Sequence, residues 1–243
     1  MAQAAVAHST NNPDINEAAR ASAQLRQTMV DRQLRTFDVT DVPLLQRFLD
    51  VPRENFLPAD HASLAYSDLP ITLADSAGKK SRALLPPLLL GRFLQAAALK
   101  PDQKALDIAG GAGYPAALLS GLAREVVALE SDPALAEAAK ANLAALGATN
   151  VRVETGSLAA GVPAAGPYDV IFIHGAVEQG LEQLIDQLTP TGFILAIAKL
   201  DADSGLQAVR IERANGHVEA GRPLFDATLP VLAEFATPPG FVF

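Results

Sequence analysis

At 243 residues and 49% hydrophobic content, the chain can bury one sizeable core, an ordinary length for a single α/β domain. A formal net charge of -8, a sequence pI near 5.0 and no long basic run exclude nucleic acid as an expected partner, and apolar runs broken by charge or proline exclude a membrane span. With no cysteine, no metal-like spacing among His8, His61, His174 and His217, and no secretory pattern over Met1–Asn16, disulfides and thiolate metal sites are excluded, no metal is expected, and a cytoplasmic protein is.

Residues 1–22 are polar and alanine-rich and read as a flexible, frayed tail. One domain over 23–243 follows: a helical preamble over 23–100, an α/β core over 101–200, and a hairpin with an extended tail over 201–243. From Ala23, Leu25, Met29, Val30 and Leu34 recur at helical spacing. Asp41 is placed to cap a second helix carrying Leu44, Leu45 and Phe48, and Pro52 and Pro58 end it. His61 to Ala83 reads as irregular. Pro86-Pro87 then opens a helix with its body over Leu88–Leu99.

Beyond this the elements alternate. Strand Ala105–Ala109 precedes helix Pro115–Leu122, and strand Val126–Glu130 precedes helix Pro133–Leu146, which Gly147 closes. Strands Val151–Glu154 and Asp169–Ile173, helix Val177–Leu188 and strand Phe193–Ala198 complete the series. Such alternation predicts a doubly wound, mostly parallel sheet with right-handed crossovers and helices on both faces. Leu206–Glu212, a turn at Asn215-Gly216 and His217–Ala220 predict an antiparallel edge, and Phe225–Phe243 an extended tail.

The stretch Lys104–Tyr114 is the centre of this pattern: an apolar strand, a glycine turn, then a helix. Glycines allow close backbone approach to a ligand, and the first helical amides face it. Ligands of open parallel sheets lie beyond the carboxyl ends of the strands. That places Asp107, Ala109, Gly110, Gly111, Gly113 and Tyr114, then Glu130 and Ser131, then Ser157 and Leu158, and finally His174, as candidate cofactor contacts. A carboxylate at Glu130 can accept both hydroxyls of an adenosine ribose; the plainer reading is a solvated strand end. Gly111-Ala112-Gly113-Tyr114-Pro115-Ala116 satisfies the loose dinucleotide fingerprint, so NAD competes. Asp107 favours S-adenosylmethionine instead, because an anion there would repel a pyrophosphate and welcome a cationic amino group and sulfonium.

Together these residues resemble the protein-L-isoaspartate O-methyltransferases, from about Met29 to Phe193. Met29-Val30, Gln33-Leu34-Arg35, Val51-Pro52-Arg53-Glu54, Ala65-Tyr66 and Asp68 are similar to that family's opening. Leu99-Lys100-Pro101, Gly113-Tyr114, Val127–Glu130, Asp132-Pro133, Asn142-Leu143, Tyr168-Asp169 and Leu188-Thr189-Pro190 continue the likeness. The resemblance implies the Rossmann-like class I methyltransferase fold, a seven-stranded sheet with a reversed last strand inserted near one edge. It also implies S-adenosylmethionine as cofactor and methylation of an isoaspartyl carboxylate in damaged proteins.

The chain departs from the family on the ligand-facing loops. The family's Thr-Ile-Ser-Gln-Pro-like stretch falls on Ala83-Leu84-Leu85-Pro86-Pro87, Ala109 replaces a glycine, Gly156-Ser157-Leu158 replaces Gly-Asp-Gly, and His174 replaces a threonine. His174, Ser81 and Arg82 are the catalytic candidates. His174 reads as a base or substrate contact, or as a hydrogen-bonded residue of a cofactor loop. Lys79-Lys80-Ser81-Arg82 reads as a greeting for an acidic substrate, or as a solvated loop. Tyr114 flanks the cofactor or packs on the preamble. Three functional readings stand: a carboxylate O-methyltransferase acting on a protein or peptide, a methyltransferase-fold protein that binds cofactor but serves another substrate or none, and an interaction module without cofactor.

Overall fold

The computed structural model describes residues 13–201, 203–214, 217–218 and 221–238. The frayed tail expected over 1–22 lies outside them as far as Asn12, but from Pro13 the chain is already helical. The same holds for His8, the Asn215-Gly216 turn, and Pro239–Phe243, which also lie outside the described residues.

Helix α1 (Pro13–Met29) widens through a π turn, Val30–Leu34, that buries Val30 and Leu34. Helix α2 (Val42–Asp50) starts where expected, because the Asp41 carboxylate accepts from the Leu44 N–H at 2.8 Å. Its Arg47 donates to the Ala117 carbonyl at 2.8 Å and to Ser120 Oγ at 3.2 Å, clamping the end of a core helix where carbonyls lack partners.

The stretch expected to be irregular contains an antiparallel hairpin, β1 (Ile71–Ala74) and β2 (Lys80–Leu84), in the register Ile71↔Leu84, Thr72↔Ala83, Leu73↔Arg82. Only Ile71 and Leu73 alternate inward on β1, too short a period to stand out in the sequence. The turn is built by Asp75, whose side chain accepts from the Ala77 and Lys79 N–H groups, and by Gly78 at φ 75°. Helix α3 (Pro87–Ala97) follows and ends at Ala98.

The core comprises β3 (Lys104–Ile108), α4 (Tyr114–Leu119), β4 (Glu125–Glu130), α5 (Pro133–Leu146), β5 (Val151–Thr155), β6 (Tyr168–Val177), α6 (Glu182–Ile185), β7 (Leu188–Ala198), β8 (Gln207–Ala214), β9 (His217–Val218) and β10 (Arg222–Asp226). The sheet order is β10-β8-β7-β6-β3-β4-β5, with β9 paired only to β8. From β7 to β5 all pairings are parallel; β8 runs against both β7 and β10. The reversed strand is thus β8, second from the edge, and not the last strand as the resemblance implied.

Alternate strand residues feed two cores. Ala105, Val126, Val170 and Phe172 face the helices of the preamble with α4 and α5. Leu106, Ile108, Ile171 and Ile173 face α6, the Leu158–Ala165 segment, and Leu232 and Phe235. The helix expected over Val177–Leu188 shrinks to the single turn α6. The chain stays extended through Ala176, whose N–H donates to the Pro230 carbonyl and whose carbonyl accepts from Leu232 N–H. Within the extended tail expected over Phe225–Phe243, Leu229–Phe235 packs as a strap across the carboxyl ends of the sheet.

Candidate functional site

The site forms where β3 ends. Ala109, Gly111 and Gly113 take positive φ values of 61°, 65° and 95°. An alanine at such an angle costs roughly 1–2 kcal/mol that a glycine would not, so Ala109 holds the left-handed turn at a cost. Gly110 is needed for a different reason: a Cβ there would stand 2.4 Å from Asp107 Oδ2. Gly111 lies under Leu73 of β1 and donates its N–H to Glu130 Oε2 at 3.2 Å.

Gly113 and Tyr114 turn away from this point. Gly113 admits α5 closely, with Ala139 Cβ 3.1 Å from where its own Cβ would lie. The Tyr114 ring is buried edge-on against Phe48 and Phe56, with the Arg53 guanidinium 4.9 Å from its centre; burial holds its phenol above the usual range. Its position is the preamble packing, not the cofactor-flanking one.

Two buried polar pairs line the turn. Asp107, 1% exposed, is hydrogen-bonded through Oδ1 to His174 Nε2. His174, 2% exposed, stacks on Phe172 and meets Phe93 edge-on; its Nδ1 has no hydrogen-bond partner among the described residues. Glu130, 3% exposed, accepts from Arg82 through Nε at 3.0 and 3.1 Å and through Nη2 at 2.6 Å. The Ser131 N–H adds a bond at 2.8 Å and the Asp132 N–H one at 3.3 Å. Arg82 Nη2 also donates to Ser131 Oγ at 2.7 Å. At 8% exposure Arg82 belongs to no solvated loop, and Glu130 is no solvated strand end. Ser81 lies beside Arg82 in β2, but its side chain is outside the described residues.

The Ser157 hydroxyl and the Leu158 N–H both donate to Glu234 Oε2, at 2.7 and 2.8 Å, while the Leu158 side chain enters the second core. Glu234 comes from the strap, and nothing in its local sequence marks it. Leu85, at the serine position of the family's Thr-Ile-Ser-Gln-Pro-like stretch, is a core residue here, and Pro86 stands at the glutamine position ahead of α3. The gathered set is therefore Asp107, Gly110, Gly111, Glu130, Ser131, His174 and Arg82, with Ser157 and Glu234 beside it.

Two cavities border the set. One of about 140 Å³ lies beside His174 under Thr72, Lys79, Arg82 and the strap. The other, about 230 Å³, lies beside Ser131, Asp132, Leu158 and Glu234. A larger cavity, about 520 Å³, opens between Val177, Leu206 and Val209 and touches none of the paired carboxylates. No group of three potential ligands suits a metal, and no helix is long and apolar enough to cross a membrane, among the described residues.

Two outcomes follow locally. Gly110→Ala should displace the Asp107 carboxylate from His174, lowering the melting temperature and, by about tenfold or more, the S-adenosylhomocysteine affinity read by titration calorimetry. Asp132 ties the hairpin to α5, accepting from Ser76 Oγ at 2.6 Å and Ser76 N–H at 2.9 Å while capping Leu135 N–H. These bonds, Ser76 foremost, hold its carboxyl at about 2. A depressed folded-state pKa means the stabilisation is present above the unfolded value of about 4 and is lost as pH falls through about 2. Acid unfolding of Asp132→Asn should therefore diverge from wild type above pH 4 and converge with it below 2; parallel curves would remove Asp132 from this role.

The geometry has counterparts among known proteins. A family model described as Protein-L-isoaspartate(D-aspartate) O-methyltransferase (PCMT) matches residues 25–222. The chain is 33% identical over 215 residues to a protein-L-isoaspartate O-methyltransferase of Synechococcus sp. (strain JA-2-3B'a(2-13)), covering 86% of each. It is 37% identical over 178 residues to one from Methylorubrum populi, covering 73% of this chain and 78% of that one. A solved protein-L-isoaspartate O-methyltransferase superposes with a TM-score of 0.73 at 28% identity; it covers 85% of this chain, which spans 65% of that longer one. A Plasmodium falciparum structure, described as a putative protein-L-isoaspartate O-methyltransferase in complex with S-adenosyl-L-homocysteine, superposes with a TM-score of 0.68 over 88% of this chain at 18% identity, a likeness of fold.

Proposed function

Because this chain belongs to the protein-L-isoaspartate(D-aspartate) O-methyltransferase family, we propose that it methylates a carboxylate of damaged proteins, the isoaspartyl carboxylate first among them, using S-adenosylmethionine in the cytoplasm. The observation that carries this reading is the pair of buried carboxylates, Asp107 and Glu130, on either side of the glycine turn.

The residues fit the cofactor. Asp107 offers an anion to a cationic amino-acid arm, and Gly110, lacking a side chain, leaves that carboxylate in place. Glu130 offers two acceptor oxygens to a ribose, and the cavity between Ser131 and Leu158 lies at the end of β5 where the base would follow. When bound, S-adenosylmethionine supplies an electrophilic methyl group on a sulfonium.

The chain's own work is positioning. A carboxylate acceptor is already ionised at neutral pH, so no strong base is required. His174 spends Nε2 on Asp107 and is clamped by Phe172 and Phe93, which suits a residue that orients Asp107 rather than one that moves a proton. The β1–β2 hairpin and the strap enclose the His174 cavity, excluding water and holding the partners in line. Lys79 and Arg82 bring positive charge to its wall. The core placement of Leu85 at the family's serine position, with Pro86 at its glutamine position, favours a second reading, in which the cofactor is used on a different acceptor.

Transfer of labelled methyl from S-adenosylmethionine to an isoaspartyl peptide, with the aspartyl isomer as control, separates them. Base-labile label on the isoaspartyl peptide alone is the expected result. Cofactor binding without transfer points to the second reading, and absence of cofactor binding overturns both.

A further inference from the structure

Arg82 occupies an awkward place for a cofactor site. Its guanidinium takes the acceptor oxygens of Glu130 that a ribose would use, and it lines both cavities, standing between the one beside His174 and the one beside Ser131 and Leu158. Small-molecule sites usually need about 300–1,000 Å³. At about 140 and 230 Å³ neither cavity reaches that size; joined, they do. Glu130 does not depend on Arg82 for its charge to be satisfied, since the Gly111, Ser131 and Asp132 N–H groups remain on it.

A ribose brings neutral hydroxyls to Glu130, so a displaced guanidinium loses its anion and needs another. The carboxylates that line the second cavity with it are engaged: Asp75 with the Ala77 and Lys79 N–H groups, Asp132 with Ser76 and Leu135, Glu234 with Ser157 and Leu158. The His174 cavity, which Arg82 already lines together with Lys79, carries no acidic side chain on its wall among the described residues. We propose that Arg82 is the arginine that binds the acceptor carboxylate, and that it is stored on Glu130 until the cofactor's ribose takes its place. The planar fork that now grips Glu130 bidentately is suited to a second carboxylate. The consequence is an order of binding: cofactor first, acceptor second. This rests on the cofactor reading of the site.

The test sets two constants against each other in Arg82→Ala and Arg82→Lys. S-Adenosylhomocysteine affinity is measured by calorimetry, and KM and kcat with an isoaspartyl peptide. In Arg82→Ala the cofactor product should bind about tenfold tighter, because no internal partner has to be displaced, while KM for the peptide rises tenfold or more and kcat at saturation stays within a few-fold. Arg82→Lys, which keeps the charge without the fork, should recover part of the KM and carries the test should the alanine variant fail to fold. A merely structural role would weaken both constants together. Unchanged or weaker cofactor binding in a folded variant, or an unchanged KM, overturns the proposal. Wild-type protein that does not bind S-adenosylhomocysteine overturns the cofactor reading itself, and this inference with it.

Discussion

Glu130→Ala is expected to abolish measurable cofactor binding and to lower unfolding stability by about 3–5 kcal/mol, the cost of leaving one member of a buried ion pair without its partner. The side chains of Arg82 and Glu130 are 7% and 4% exposed, so water cannot replace the lost carboxylate around the guanidinium. The Gly111 and Ser131 N–H groups lose an acceptor at the same time. The double variant Glu130→Ala/Arg82→Ala separates the two losses. Removing the stranded guanidinium should restore most of the stability and none of the binding, giving a coupling far from additive. Urea unfolding and calorimetry on the four proteins of the cycle provide the check, and additive stabilities would show that the pair is not a unit.

Asp107→Ala is expected to cut cofactor affinity about a hundredfold or more and to cost about 1–3 kcal/mol of stability. The stability loss arises because His174 Nε2 then joins Nδ1 in having no partner inside an aromatic slot. The affinity loss is expected because, in the proposed seat, the buried Asp107 carboxylate would meet the cationic arm of the ligand, where a charge-assisted contact is worth roughly twice a neutral one. His174→Phe is the companion variant. It keeps the stack on Phe172 and removes the hydrogen bond to Asp107. If His174 only orients that carboxylate, the pH profile of kcat should stay flat through the histidine range while cofactor affinity falls. A lost ionisation in that profile would instead make His174 a base.

Much of the proposed cofactor seat is legible in the amino-acid sequence. Asp132 and Gly147 bound α5 as their types demand, and Asp41 caps α2. Those are contacts within a few residues of one another, which sequence order alone supplies. Asp107, Gly110, Gly111 and Glu130 stand out for the same reason, since each sits at a strand end or turn. Tyr114 is harder to place. Beside a glycine turn it could face the ligand or the preamble, and only the packing of Phe48, Phe56 and Arg53 turns it inward. The shortening of the helix after Val177 has a similar origin: backbone pairing with Pro230 and Leu232 keeps the chain extended where local propensity favours a helix.

By itself the sequence determined the family, the strand–turn–helix order and the two carboxylates at the ends of β3 and β4. These depend on local periodicity, capping and turn chemistry. Only the tertiary structure decided what those carboxylates meet: His174 on Asp107, 67 positions away, and Arg82 on Glu130, 48 positions away. It also brought Glu234 to Ser157 across 77 positions. Contacts over such separations follow from where the hairpin and the strap come to rest on the sheet. That is set by burial of Leu73, Leu232 and Phe235, apolar residues that carry no sign in the sequence of the polar side chains they deliver.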